Sequence, residues 1–459
     1  MDSEQVYIAS GAGFSGDRFD ASLPLVEMMH DIAAPKYLIF EVLAERTIAV
    51  AHKLRQKHPE AGYSPYLEHY LRPVLAQAKE AGITIISNMG AANPEGAARQ
   101  IFRLAAELDM PVPSIAVVTG DDVRAFLDDT LLAAAEIIEG NELHAENIVS
   151  ANAYLGARPI AEALSHSPDI VIVGRTTDSA LVLGPLIHEF GWSEDAYDKL
   201  ASGTICGHLL ECGGQVTGAY FADPGFKDVP DLAHVGFPFA CVSQDGSFYI
   251  SKAEGTGGCV TKATVTEQLL YEMHDPSAYY VPDVIADISE ISLTETGTDR
   301  ITISDVKGHP PTDTLKVTIC MQAGWLAEAE MSYAGANGLA RAELAAEIVK
   351  TRLSSDGLDT ALRCDVLGAY GPLDGGKPRT DINALAFDGD YRLRLALMAD
   401  REEQAQRVYD ELQSLYCSGP AGGGGFRGAV TEQISTASVL IDRHAVEAQV
   451  TTFLFKSEG

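Results

Sequence analysis

The chain has 459 residues, 46% of them hydrophobic and 21% charged, a composition that excludes wholesale disorder and allows two or three domains at about 150 residues each. With 33 Lys and Arg against 65 Asp and Glu, the net charge is −32, which argues against nucleic-acid and anionic-membrane partners because both need a basic surface. No run approaches 18 consecutive apolar residues, the opening MDSEQVYIAS reads as no secretory signal, and seven scattered cysteines without a CxxC pair point to a reducing, cytoplasmic setting.

In chain order, the first 190 residues repeat one rhythm: a short apolar run, a polar turn, then a helical stretch. The apolar runs are Val6–Ser10, Tyr37–Phe40, Ile83–Ser87, Ile115–Val118, Asn147–Ser150 and Ile170–Gly174, with amphipathic stretches such as Ala21–Ala33, Ala44–His58 and Pro94–Leu108 between them. Continuous Val/Ile-rich runs separated by helices are the pattern of buried parallel strands with helical crossovers. The fold class expected is therefore α/β: a doubly wound, mostly parallel sheet over residues 1–214. A helix follows at about Asp195–Cys212, and the pattern then changes. Runs at Phe239–Ser243, Ser247–Ser251, Val284–Leu293, Arg300–Val306, Leu315–Ala323 and Glu328–Tyr333 read as antiparallel strands joined by turn signals. Helices at Arg341–Leu353 and Arg401–Leu415, a strand at Tyr391–Ala399 and the apolar run Val450–Phe455 complete a second, two-layer α+β domain, 215–459.

In an open parallel sheet, ligands bind beyond the carboxyl ends of the strands. The residues just past those ends are Gly11, Gly13, Ser15 and Gly16 after the first strand and Glu41 after the second. Asn88 and Asn93 follow the third, Asp121 the fourth, Asn152 the fifth, and Arg175, Thr176, Thr177 and Asp178 the sixth. Small and hydrogen-bonding residues at nearly every end suit a polar ligand, although the same residue types are ordinary in turns and helix caps. Gly13, Asn88, Arg175 and Asp178 are expected on one crevice. Gly11-x-Gly13-x-x-Gly16 also matches the dinucleotide fingerprint, with Glu41 placed to meet a ribose hydroxyl; a glycine nest for a phosphate or carboxylate is the competing reading.

Three further segments carry candidate chemistry. His208 and Cys212 stand at i and i+4 on the Asp195–Cys212 helix, where they share a face and could ligate a metal or form a thiolate–imidazolium pair, whereas Cys is also a common small core residue. Glu254-Gly255-Thr256-Gly257-Gly258-Cys259 sets a carboxylate and a thiol beside glycines able to cradle an anion, or forms a plain turn. Ser418-Gly419-Pro420-Ala421-Gly422-Gly423-Gly424-Gly425-Phe426-Arg427-Gly428 reads as an anion-wrapping loop or lid with Arg427 as counter-charge, or as a connector. The site expected from these readings has His208, Cys212, Glu254, Cys259 and Asp178 as catalytic groups. Gly11, Gly13, Ser15, Gly16, Asn88, Asn93, Arg175, Thr176, Thr177, Gly257, Gly258, Gly423, Gly424 and Arg427 are the anion-binding set. The sequence leaves metal content undetermined.

Several co-ordered motifs, GAGFSGDR, YLIFEVLAERT, SNMGAANP, VGRTTDSALVLGPL, GHLLECGGQVTGAYFADPG, GFPFACVSQDGSFYISKAEGTGGCVT, DVKGHPPTD and SGPAGGGGFRG, span essentially the whole chain. Together they resemble the acyclic terpene utilisation protein AtuA family. The resemblance implies catabolism of citronellol- and geraniol-type compounds, and a small ferredoxin-like domain found in longer members that a separate partner protein would supply here. Three functions are carried forward. One is a lyase or hydratase acting on an unsaturated or hydroxy acid or its coenzyme A thioester. A second is an NAD(P)-dependent oxidoreductase using Gly11–Gly16. The third is a non-catalytic ligand-binding subunit of a catabolic complex. A small anionic substrate and a homo-oligomer complete the expectation.

Overall fold

Strand residues alternate between faces, so a strand buried on both sides must be apolar throughout. β1 (Gln5–Ser10), β2 (Lys36–Phe40), β3 (Thr84–Ser87) and β4 (Ile115–Thr119) are apolar except at their ends, and β7 (Ile170–Val173), which follows the two-residue β5 (Glu136–Ile137) and β6 (Ile148–Ala153), is apolar throughout. In β7, Val171 and Val173 enter one core, and Ile170 and Ile172 enter the other. The first core is completed by α7 (Arg158–Leu164), α8 (Ala180–Phe190), α9 (Tyr197–Glu211) and α10 (Lys262–Leu270). The second is completed by α1 (Leu23–Met29), α3 (Leu67–Leu71), α4 (Leu75–Glu80) and α5 (Pro94–Glu107). Each fully buried Val, Leu or Ile contributes roughly 1.5–3 kcal/mol, and the two layers supply dozens of them.

The computed structural model describes residues 5–137, 145–369 and 389–453. The described residues form two compact units, one of 5–137, 145–320 and 436–453, the other of 321–369 and 389–435. In the first unit, β1, β2, β3, β7 and β4 pair in parallel, in that order. Antiparallel strands extend both edges. Beyond β1 come β8 (Pro238–Ser243), β9 (Phe248–Lys252), β13 (Arg300–Ser304) and β12 (Ser292–Gly297); beyond β4 comes β19 (Gln449–Phe453). The ten-stranded sheet is thus mixed rather than mostly parallel: four of its neighbouring pairs are parallel and five antiparallel.

The division at 214/215 is corrected by the same pairing. β8 lies along β1 from Gln5↔Ser243 to Ala9↔Phe239, so residues after 215 complete the first sheet instead of opening a second domain. The run at Asn147–Ser150 also leaves the parallel set: β6 pairs with β15 (Thr314–Ala334), one 21-residue strand where two were expected. In the second unit, β16 (Arg363–Leu367), β17 (Asp390–Ala399), the part of β15 from Met321 onward and the part of β18 (Gly424–Asp442) up to Ser435 line up in that order, and α11 (Gly338–Leu353) and α12 (Glu402–Ser418) share one core with them. Of the expected run Val450–Phe455, Leu454 and Phe455 lie outside the described residues.

All five parallel strands end on the same side, which gathers Gly11, Glu41, Asn88, Arg175 and Asp121 at one rim of the sheet. Gly13 shows how tightly that rim is built. A Cβ there would stand 2.3 Å from the carbonyl carbon of Cys212 and 2.6 Å from the nitrogen of Gly213, both backbone atoms at the end of α9. Gly82, by contrast, has φ +67° with nothing within 4 Å of a built Cβ. Gly13→Ala should therefore cost at least about 2 kcal/mol by overpacking, against about 1 kcal/mol for Gly82→Ala from backbone strain alone. Denaturant melts of the two variants compare them directly, and equal losses would show that the loop yields freely.

Candidate functional site

A cavity of about 1090 Å³ opens at this rim, lined entirely by residues of the first unit. Its floor is held by Arg175, which is 2% exposed. The guanidinium donates from Nε to Thr176 O at 2.8 Å, from Nη1 to Leu43 O at 2.5 Å, and from Nη2 to Thr176 O at 2.5 Å and to Asp178 Oδ1. It also lies 4.5 Å from the centre of the Tyr154 ring. The loop that carries it is pinned from behind. Asp121 Oδ2 accepts the Arg175 backbone N–H and Asn152 Nδ2, both at 2.9 Å, and a Cβ on Gly174 would strike Asp121 Oδ1 at 2.5 Å.

Carboxylates crowd around this cation. Glu41 accepts from Asn88 Nδ2 at 2.8 Å and from the Leu43 N–H at 3.0 Å, while Asn88 Oδ1 accepts the Val42 N–H at 2.9 Å. Burial, reinforced by the Asp178 charge, pushes Glu41 well above the ordinary carboxylate range. Burial likewise raises Asp178, and the neighbouring Arg175 only partly offsets it. Glu211 accepts from His208 Nδ1 at 2.8 Å; burial raises its carboxyl despite that partner. Burial alone would lower His208, but the Glu211 charge wins and its pKa rises. Glu45 goes the other way: burial is outweighed by the Tyr154 hydroxyl, its own backbone N–H, Arg175 and Lys316, and the carboxyl is held below its usual range. One cavity therefore holds carboxyl groups displaced in opposite directions, the arrangement by which an acid and a base coexist near neutral pH.

The mouth is apolar and aromatic. Phe14, Tyr220, Tyr280 and Leu440 line it and are between 58% and 82% exposed. Tyr220 and Glu272, both on the wall, have left-handed backbones with φ +59° and +57°, where non-glycine residues are uncommon.

Of the residues expected on one crevice, Gly13, Arg175 and Asp178 line this cavity, and Asn88 stands directly behind Glu41, 0% exposed. Ser15 and Thr177 line it as well. Thr176 bonds the Leu155 carbonyl instead, at 2.7 Å, and Asn93 is the N-cap of α5, accepting from the Gly96 N–H at 3.0 Å. The dinucleotide reading does not fit. The Gly11 N–H is spent on Ile39 O, that of Gly13 on Asp17 Oδ2 and that of Gly16 on Tyr70 Oη; the next helix starts only at Leu23, and Glu41 is occupied by Asn88. No amide of the three glycines faces a pyrophosphate.

Cys212 lines the cavity, but burial and then Glu211 push its thiol far above the ordinary range, and His208 is engaged by Glu211. Cys259 is raised by burial and does not line the cavity, while Glu254 is exposed elsewhere on the surface. Gly257 and Gly258 are packing glycines, since a Cβ on them would meet Asp231 O at 1.9 Å and Thr217 O at 2.5 Å. Their N–H groups bond His234 O and Pro230 O. The glycine run at 418–428 ends α12 and opens β18 in the second unit, where Arg427 is exposed. Among the described residues, no group of three or more His, Cys, Asp or Glu is placed to hold a metal ion.

Glu45, Tyr154, Glu211 and Lys316 escaped the sequence reading. Glu211 sat inside a quoted motif, three residues from His208 on one helix, a spacing that could have flagged it. Tyr154 and Lys316 meet only through the β6–β15 pairing and carry no local signal.

Burial raises Asp121 to about 6, against the pull of the Arg175 N–H and Asn152. The folded protein thus holds this proton more tightly than the unfolded chain. Its stabilising effect is complete below about pH 4 and lost as pH rises through about 6. The displacement of about two pKa units corresponds to about 3 kcal/mol. Asp121→Asn should therefore gain up to about 3 kcal/mol relative to wild type between pH 4 and pH 8 in urea unfolding. Parallel pH profiles for the two proteins would show that Asp121 ionises in the fold without cost.

The model of the acyclic terpene utilisation family protein AtuA aligns with residues 6–452. No curated protein and no solved structure matches the chain. The family match takes in both units and every wall of the cavity, and the chain belongs to the acyclic terpene utilisation AtuA family.

Proposed function

We propose that this protein is a lyase or hydratase of terpenoid catabolism, adding water to, or removing it from, an unsaturated or hydroxy acid. The observation that carries this reading is the pair Asp178 and Glu211. They line the same cavity, each is raised by burial and hydrogen-bonded to a buried basic side chain, Arg175 or His208, and the Asp178 charge raises Glu211 further. Such a pair supplies both halves of a hydration. One carboxylate takes a proton from water, the water oxygen bonds to the β-carbon of the double bond, and the other carboxyl returns a proton to the α-carbon. Dehydration is the reverse. Raised carboxyls suit both roles, and each proton transfer of this kind is worth roughly 10²–10⁴ in rate. The apolar mouth suits a branched hydrocarbon tail, consistent with the family's association with acyclic terpenes.

The test is incubation of the purified protein with branched 2-enoic acids and 3-hydroxy acids, free and as coenzyme A thioesters, in D2O, following deuterium at the α-carbon by NMR. Asp178→Asn and Glu211→Gln should each lower the exchange rate at least about 100-fold without abolishing ligand binding. Binding by wild type with no exchange on any of these compounds would replace the enzyme reading with that of a ligand-binding subunit.

A further inference from the structure

Three cations line the cavity: Arg18, Arg175 and Lys316. Two are already satisfied. Arg18 donates from Nε and Nη2 to Asp20, at 3.1 and 3.0 Å, and from Nη1 to Val235 O at 3.0 Å. Arg175 places its guanidinium on Leu43 O, Thr176 O and Asp178 and is buried. Lys316 differs. Its side chain is 48% exposed, and its Nζ lies 3.8 Å from Glu45 Oε1, beyond hydrogen-bond reach, and 4.9 Å from the Tyr154 ring centre. Among the described residues it is the cavity cation whose N–H donors have no acceptor.

We propose that Lys316 is the anchor for the carboxylate of the substrate, and that the cavity takes a free medium-chain carboxylic acid with its tail toward the mouth. This deepens the acid–base reading of the same cavity and rests on it. A lysine ammonium is a compact point charge with three donors, suited to a carboxylate and worth most where solvent is partly excluded. Apolar residues flank it. Leu315 is its chain neighbour, and Val281, Pro282, Tyr280 and Leu440 line the same cavity, a wall along which a hydrocarbon tail can lie. The Tyr154 ring lies within 4.9 Å of both Lys316 and Arg175, and its hydroxyl donates to Glu45. In a chain of net charge −32, a locally unspent cation is what lets an anion enter at all.

The experiment is calorimetric titration of the full chain with octanoate, 1-octanol and octyl phosphate, in wild type, Lys316→Met, Lys316→Arg and Lys307→Met. Lys307, paired with Asp198 away from the cavity, controls for loss of one positive charge from the molecule as a whole. Octanoate should bind wild type, and Lys316→Met should weaken it at least tenfold while 1-octanol changes by less than twofold. Lys316→Arg should recover most of the loss, and Lys307→Met should behave as wild type. Equal octanoate affinity in Lys316→Met and wild type, no octanoate binding to folded wild type, or tighter binding of octyl phosphate than of octanoate would each overturn the proposal. Because these are binding measurements, they fail separately from the isotope exchange: lost exchange in Asp178→Asn with octanoate affinity intact leaves the anchor standing, and the converse leaves the acid–base pair standing.

Discussion

A guanidinium sealed from water organises the candidate site. Removing such a charge from solvent costs several kcal/mol even after relaxation, and only close, well-directed acceptors recover that cost. Arg175 finds them in the Leu43 carbonyl beyond β2, in the Thr176 carbonyl of its own loop and in Asp178 at the approach to α8. Because these acceptors belong to different elements, the charge binds the strand ends into one surface. Everything at the cavity floor is then positioned relative to it. Tyr154 lies under its plane, Glu45 is reached through the Tyr154 hydroxyl, and Glu41 is shut in beside it. Asp121, on the far side of the loop, fixes the backbone from which the side chain springs.

The acidic character of the chain acquires a local meaning here. Acidic residues elsewhere in the chain, such as Asp195 and Asp275, are solvated surface groups. Those around the cavity are in a different regime, because buried carboxyls that share a space cannot all ionise. Glu41, Asp178 and Glu211 are displaced upward, whereas Glu45, with a phenol and two cations for neighbours, is displaced downward. The same residue type thereby fills different roles within one pocket, and the difference comes from what each carboxyl touches.

Much of this was legible in the sequence, and its limits were physical. Buried parallel strands announced themselves as Val/Ile runs because both faces are covered, and the residues following them did collect at one rim. Arg175 and Asp178 were visible for that reason. What the runs could not reveal was partnership. β8 reads like any half-buried strand, and nothing local says that it lies along β1, so the first unit extended past residue 214 unseen. The glycine motifs misled for a related reason. Glycine is required equally where a ligand approaches backbone and where backbone approaches backbone; at Gly13, Gly257 and Gly258 the neighbour is the chain itself. Tyr154 and Lys316 join through a strand pairing between segments more than 150 residues apart, which one-dimensional spacing cannot encode.

The division between a bonded floor and an unbonded mouth has an evolutionary consequence. On the floor, Asn88 serves Glu41 and Val42 together, and Asp121 serves Arg175 and Asn152 together, so the effect of one substitution depends on the state of its neighbours. Such residues are epistatically locked and can change only in concert. Phe14, Tyr220, Tyr280 and Leu440 are largely solvent-facing, and exposed positions of this kind tolerate exchange at little cost to folding. The mouth can therefore drift by independent single steps while the floor stays fixed. A family built on this plan can vary the rim of its cavity without rebuilding the floor.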